Sequence, residues 1–404
     1  MRLTLIAIAG LAAGTPAAAQ TVTLKPLIDA RLRYEHVDQD GITKRADAAT
    51  ARVRAGVEAK SGAFSVLVEG QGTLAIGEDY FDGLHLPAIR PLVADPENIA
   101  LYRAQVQYKS KPLTLTAGRQ RIALDDERFV GAVGFRQNGQ TFDAIRAEVT
   151  AIPKLKLDAT YAWSQRTLWG VDGTGARQQA VSGDFVFGNV GYASPIGTVS
   201  AFAYLVDEDE AAVNGFRMSS QTYGARLAGT KPAGEAKLAY QLSYAHQIDY
   251  HHNPNSYGAD YYLADAAIEA KGFKLGGGYE VLGAGAGSIA GAALTSFQTP
   301  LATGFKFQGW ADKFLTTPPD GVRDLYGSVG YGVKKLGPLA AVTLQAAYHR
   351  FESDRLVRHY GNELDLLASA KLRKTTLSVR YADYNADRFA TDTSKFWLQA
   401  DWTI

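Results

Sequence analysis

Along much of the chain apolar and polar residues alternate, so that one face of each segment is apolar and the other charged. Leu24, Pro26, Ile28, Ala30, Leu32 and Tyr34 share one face, while Lys25, Asp29, Arg31, Arg33 and Glu35 share the other. Successive strand side chains point to opposite faces, so a period of two predicts a β-strand with one apolar and one highly charged surface. The pattern returns in Ala51, Val53, Ala55 and Val57 against Arg52, Arg54, Glu58 and Lys60, and in Tyr102, Ala104, Val106 and Tyr108 against Arg103, Gln105, Gln107 and Lys109. Leu155, Leu157, Ala159, Tyr161 and Trp163 oppose Lys156, Asp158, Thr160, Ser164 and Arg166, and Leu238, Tyr240, Leu242 and Tyr244 oppose Lys237, Gln241 and Ser243. Segments of about ten residues with aromatics near their ends suit a lipid-facing band between interfacial girdles. Strands of soluble sandwiches run to about five or six residues.

The breaks between segments alternate in length. Short ones stand at Ser61-Gly62, Ser110-Lys111-Pro112, Ile152-Pro153, Ser194 to Gly197, Lys231 to Gly234, Lys271-Gly272, Leu336-Gly337-Pro338 and Arg373-Lys374. Longer polar stretches lie between them, the longest near 75–97 and 284–321, the second with a Gly/Ala-rich run from Leu282 to Ala293. Short periplasmic turns and long extracellular loops mark an outer-membrane barrel, and their number predicts about 18 strands in an antiparallel up-and-down β-barrel. The last segment, Phe396, Leu398, Ala400, Trp402 and Ile404 against Lys395, Gln399, Asp401 and Thr403, predicts a strand running to the carboxyl end. Closure is required because lipid offers no hydrogen bonds to an open sheet edge.

Composition sharpens this picture at three points. Residues 1–19 carry Arg2, an apolar run from Leu3 to Leu11 and Ala17-Ala18-Ala19, the pattern of a secretory signal peptide, so residues 20–404 are expected to form the barrel as one domain outside the cytoplasm. Cysteine is absent, which excludes a disulfide framework. Without Arg2 the 42 Lys and Arg fall to 41 and equal the 41 Asp and Glu, so no overall charge draws the chain to nucleic acid, and function must come from local arrangement.

A barrel of about 18 strands is wide enough for an aqueous channel, which makes the inward face the functional surface. The alternation sends Arg31, Arg33, Arg52, Arg54, Arg103 and Arg166 inward, with acids including Asp29, Glu35, Glu58, Glu69 and Asp158. Guanidinium forks bind carboxylates bidentately and keep their charge, so these residues are candidate lining for the path of an anionic solute. The same residues could instead form a ladder of salt bridges holding the wall together. No G-x-S-x-G motif occurs, and the chain is not expected to be an enzyme. His246, His251 and His252 are expected on a solvated loop edge rather than on a metal. Asp125-Asp126-Glu127 and Asp207 to Glu210 are expected as solvated loop charge rather than as Ca²⁺ ligands. Neither cofactor nor metal is expected.

One stretch stands apart: Gly118-Arg119-Gln120-Arg121-Ile122, then Asp125-Asp126-Glu127-Arg128-Phe129-Val130-Gly131, then Phe135-Arg136-Gln137-Asn138-Gly139-Gln140-Thr141-Phe142-Asp143-Ala144-Ile145-Arg146. It reads as two strands, Thr114 to Ile122 and Arg136 to Val149, joined by a charged loop. The stretch resembles the signature of the alginate-export family of outer-membrane barrels. A second stretch, Ser296 to Thr303 followed by Lys306 to Asp312 and Asp320 to Tyr326, is similar to the same family. The resemblance implies an 18-stranded channel through which an alginate-like polyuronate passes, its carboxylates bound by pore arginines and its path gated by long loops. Arg119, Arg121, Arg136 and Arg146 match the motif, and Arg128 lies in its charged loop, although strict alternation turns Arg119 and Arg121 outward unless a bulge intervenes.

Three functions then stand open: export of an anionic polysaccharide, general or substrate-specific diffusion of small solutes, and an outer-membrane enzyme. Clustered arginines with few opposing acids would favour export, and evenly mixed charges would favour a porin. Outer-membrane lipid is the expected surrounding, periplasmic secretion proteins are expected partners for an exporter, and the barrel is expected to be a monomer.

Overall fold

The computed structural model describes residues 21–285 and 294–403. The leader expected at 1–19, residues 286–293 of the Gly/Ala-rich run and Ile404 lie outside the described residues.

Eighteen strands follow one another: β1 (Thr23–Gln39), β2 (Ala46–Ser61), β3 (Phe64–Asp79), β4 (Asn98–Lys109), β5 (Leu113–Gln120), β6 (Thr141–Val149), β7 (Leu155–Arg166), β8 (Ala180–Ser194), β9 (Gly197–Glu208), β10 (Ser220–Ala233), β11 (Ala236–Asp249), β12 (Gly258–Ala270), β13 (Phe273–Leu282), β14 (Val322–Leu336), β15 (Leu339–Glu352), β16 (His359–Leu372), β17 (Thr375–Ala386) and β18 (Thr393–Thr403). Each pairs antiparallel with its neighbours in sequence, and β18 returns to pair with β1, Asp29 standing opposite Thr403. The sheet therefore closes on itself, leaving no edge unpaired in lipid. Short turns gather at the rim that holds both chain ends, and long loops at the other.

The period of two survives folding. On β1 and β2, Leu32, Val53 and Val57 are 42–54% exposed on the outer surface, while Arg33, Arg52 and Arg54 are 1–7% exposed inside. Outward apolar groups meet lipid, and inward polar groups find one another. The interior is more than a polar bore, however. Ile122, Leu124, Val130, Phe297, Leu301 and Phe314, all from two long loops, pack with wall residues such as Phe142, Phe185, Phe202 and Tyr261 into one buried apolar cluster.

Three expectations are corrected. Arg136 to Gln140 do not belong to β6, which begins at Thr141; the chain from 121 to 140 runs inside the barrel, because Gln137 and Asn138 bond to the inner wall instead of a strand. Tyr102, expected on the lipid face, turns inward at a β-bulge where Glu69 and Gly70 pair with Arg103 and Leu101. The extra residue changes the phase, so Leu101 is exposed and Tyr102 buried. β3 runs on to Asp79, leaving a shorter connection to β4 than the stretch 75–97 suggests.

Candidate functional site

The stretch singled out in the sequence forms a bar across the interior. At one end Asn138 accepts from Gln71 Nε2 and Thr73 Oγ1, each at 2.8 Å, and donates to Pro96 O at 2.9 Å. Gln137 donates to Thr50 Oγ1 at 2.9 Å, and its backbone N–H donates to Asp95 at 2.7 Å. A Cβ on Gly139 would lie 2.7 Å from the Tyr102 hydroxyl and 3.0 Å from Arg54 Nη2, so glycine lets the backbone approach the β2–β4 wall. At the other end Asn189 on β8 donates to Asp125 at 2.8 Å, Gln241 on β11 donates to Asp126 at 2.5 Å, and Arg226 on β10 lies within 3.7 Å of both carboxylates. Burial pushes the Asp125 carboxyl up in spite of Arg226.

The loop after β13 docks on this bar. The Gly131 N–H donates to Leu301 O at 2.8 Å, Thr303 N–H to Glu127 O at 3.1 Å, and Gln140 Nε2 to Leu301 O at 3.1 Å. Glu127 takes hydrogen bonds from Lys306 and from Thr303 Oγ1. Arg136 pairs with Asp312 at 2.6 Å and Glu35 at 3.1 Å, Lys395 on β18 adds a contact to Asp312 at 3.2 Å, and Phe135 stacks on Phe305. Burial alone would raise Glu127 and Asp312, but Lys306 and Thr303 for one, Lys395 and Arg136 for the other, hold both below the usual carboxylate range. Burial likewise pulls Arg136 down, yet Glu35 and Asp312 outweigh it and keep the guanidinium firmly charged. On the far wall Arg128 and Glu280 form an ion pair at 2.7 Å, Gln308 donates to Glu280 at 2.8 Å, and the Ala311 N–H donates to Glu363 at 2.7 Å.

The eleven arginines picked from the sequence divide into groups. Arg31 pairs with Asp401 and donates to Phe135 O; Arg33 pairs with Asp95, both side chains fully buried; Arg52 pairs with Asp29 and Arg103 with Glu69. Arg146 pairs with Asp158 at 2.6 Å. Arg54 has Gln71 at 2.6 Å and the Tyr102 ring at 3.9 Å instead of an acid. Arg128 and Arg136 belong to the crossing loop. Arg121 follows the last β5 residue, leaves the strand phase and lines a cavity of about 200 Å³ with Asp29, Arg54, Glu69 and Arg103. Arg119 and Arg166 are not brought into the interior: they clamp Asp143 at 2.7 and 3.3 Å, and Asp143 lies between the inward Phe142 and Ala144. The inward direction read from alternation for Arg166 fails because a β-bulge after Ala162 sets Ser164 opposite the outward Asp143 and Gln165 opposite the inward Phe142, which reverses the phase at the end of β7.

Other residues complete the site. Asp95, Glu280, Asp312, Lys395 and Arg226 supply partners, and Arg380 on β17 lies 5.6 Å from the Phe135 ring. Asp312 and Lys395 stood in quoted patterns, but a pair between a loop and the last strand leaves no local signal. A cavity of about 470 Å³ on the long-loop side is lined by Phe135, Arg136, Trp169, Phe305, Asp312, Lys313 and Lys395, among others. Lys313, whose ammonium lies 5.9 Å from the Tyr384 ring, forms no ion pair with the described residues. Burial, with Lys395 nearby, lowers it to about 8.

Among the described residues no group of three His, Asp or Glu side chains could hold a metal ion. His246 sits within β11 and its Nδ1 meets Asp260 at 2.8 Å, not on a loop edge as the sequence suggested.

A closed 18-stranded barrel with an apolar outer surface, a charged interior and inward-folded loops is a bacterial outer-membrane channel. A sequence model for alginate export matches residues 25–279, more than half of the chain, and this chain belongs to the alginate-export family. The search of the curated proteins gives no match. Solved structures share the fold at low identity. The outer membrane protein OpdK of Pseudomonas aeruginosa is 12% identical, with a TM-score of 0.66 over 94% of this chain and 98% of that one. OccAB4 of Acinetobacter baumannii is 12% identical, with a TM-score of 0.71 over 96% and 99%. OccK9 (OpdG) of Pseudomonas aeruginosa is 15% identical, with a TM-score of 0.69 over 94% and 98%.

Proposed function

We propose that the barrel is a selective diffusion channel for small carboxylate-bearing solutes. The observation that carries this reading is the bar across the interior, bonded through Asn138 to Gln71 on one wall and through Asp126 to Gln241 on another. A linear polymer would have to displace the bar, whereas a small solute needs far less room beside it. The cavity of about 470 Å³ has the size of a small-ligand site, and Lys313, which forms no ion pair with the described residues, offers a cation to a carboxylate there. Evenly mixed charge supports the same reading, since Arg31, Arg33, Arg52, Arg103, Arg136 and Arg146 each have an acidic partner.

Passage of a polyuronate through an arginine-lined pore is the second reading. Family membership favours it, as do Arg54 and Arg121, which have no acid partner among the ion pairs of the described residues. Single-channel recording in a planar bilayer separates the two. Block by a small dicarboxylate, with no effect of polymannuronate from either side, is the outcome expected of the selective channel. Block by polymannuronate that weakens on Arg54→Ala and Arg121→Ala substitution would overturn it in favour of the polymer path.

A further inference from the structure

Six charged side chains line the cavity of about 470 Å³: Arg128, Arg136, Glu208, Asp312, Lys313 and Lys395. Four of them are committed. Arg128 pairs with Glu280, and Arg136 and Lys395 both pair with Asp312. One ammonium and one carboxyl are left over, Lys313 and Glu208, and neither forms an ion pair with the described residues. Glu208 is the last residue of β9 and shares its inward face with Phe202, Tyr204 and Val206, which belong to the buried apolar cluster. It is 2% exposed, and its Oε2 accepts no hydrogen bond from the described residues. The backbone N–H of Glu208 donates to Ser219 Oγ at 2.9 Å, which fixes the strand end and leaves the carboxyl to the cavity. Its neighbour Asp207 has the same sign of charge and is held by His251. Nor does Lys313 neutralise it: that ammonium lies by Tyr384 of β17, and β9 and β17 stand almost opposite each other in the ring of eighteen strands. A buried carboxyl with neither donor nor cation is costly, and a group outside the chain that brings both would complete it. A primary ammonium does so, with a positive charge and three donors. The lining also includes Val213, Met218, Phe305 and Leu315, an apolar surface for a carbon chain.

We propose that Glu208 receives the ammonium group of a solute whose carboxylate goes to Lys313, so that the cavity takes an amino acid carrying its two charges at the ends of an apolar carbon chain. The two unpaired groups, set on facing sides of the interior, then orient the solute across the barrel. The proposal rests on the reading of the barrel as a channel for small carboxylates with Lys313 as its cation, and adds the other end of the solute.

Single-channel recording on the full barrel at neutral pH tests it with 5-aminovalerate, 6-aminohexanoate and 8-aminooctanoate, each compared with valerate, hexanoate or octanoate of the same chain length. In wild type at least one of the amino acids is expected to block about tenfold more strongly than its matched carboxylate, the scale of one charge-assisted contact. That advantage should vanish in Glu208→Gln, while block by the plain carboxylates should not weaken. Lys313→Ala should weaken block by both kinds of probe. Glu208→Gln keeps the size of the side chain and breaks no ion pair, and the wild-type comparison needs no variant, so the test stands even if Glu208→Gln assembles poorly. An amino group that adds nothing in wild type at any length, or an advantage that survives in Glu208→Gln, overturns the Glu208 site and leaves the carboxylate reading in place. An advantage lost in Glu208→Gln, with block indifferent to Lys313→Ala, would leave the Glu208 site standing and overturn the carboxylate contact.

Discussion

Arg136 donates to Asp312 across 2.6 Å and so ties the loop after β5 to the loop after β13. Both side chains are nearly buried, and both come from the stretches that resemble the family signature. Removing one member of a buried pair costs about 3–5 kcal/mol, because the other charge is left without its partner. Here Glu35 still faces Arg136, so the loss in Asp312→Asn should fall below that range and be spent on loop docking rather than on the barrel. The expected outcome is a higher or noisier single-channel conductance, with the heat-modifiable gel mobility of the folded barrel retained. Unchanged conductance would mean that the two loops hold together without this pair.

The same lock should loosen in acid. Asp312 and Glu127 both titrate below their ordinary values of 3.8 and 4.5. A depressed folded pKa stabilises the docked loops fully above the unfolded value, and this contribution is lost as pH falls through the folded one. Conductance should therefore hold steady above about pH 5 and rise only below about pH 4. Recordings stepped through that window check the sign.

Lys313 gives a different pH dependence at the alkaline end. Its ammonium is present below about 8 and lost above it, and no described carboxylate is paired with it. Affinity for a dicarboxylate should fall as pH rises through 8, while Lys313→Ala should bind weakly at every pH and show no such step. Block titrations at pH 6.5 and 9 separate the two curves.

Arg33 and Arg121 were read alike from sequence and should behave oppositely. Arg33 and Asp95 are fully buried partners, so Arg33→Ala should lower the unfolding temperature of the barrel, at a cost of about 3–5 kcal/mol. Arg121 is exposed in its cavity and has no ion pair among the described residues, so Arg121→Ala should stay within about 0.5 kcal/mol of wild-type stability. Its effect should instead be a shift of reversal potential toward cations under a salt gradient.

Alternation made the barrel legible, because lipid on one side and charge on the other force a period of two on every strand. Turn lengths made the strand count legible as well. The site was legible only as a set of residue types. Alternation carries phase along a strand but fails at a bulge, as at Tyr102 and before Arg166, and past a strand end, as at Arg121. It also says nothing about where a loop folds. Arg136 and Asp312 stood in the two quoted stretches, yet their pairing depends on both loops turning into the barrel, which is a tertiary choice driven by buried Leu124, Val130, Phe297 and Leu301.

Arg119 is the sharpest case, since it sits in the signature and still points away from the interior. Its Nε and Nη2 donate to the two oxygens of Asp143 at 2.7 and 2.9 Å, and its Nη1 donates to Leu101 O at 3.0 Å. Arg119 and Asp143 stand opposite each other on β5 and β6, both between inward neighbours, and Arg166 approaches the same carboxylate from β7. The cluster therefore joins three strands from outside, near their long-loop ends. Both partners are partly exposed, so the pair should contribute less than a buried one, about 1 kcal/mol after solvent screening. Arg119→Ala should accordingly lower barrel stability slightly while leaving conductance, ion selectivity and dicarboxylate block at wild-type values. A change in selectivity comparable to that of Arg121→Ala would show that Arg119 reaches the solute path after all, and would return the whole signature to the pore.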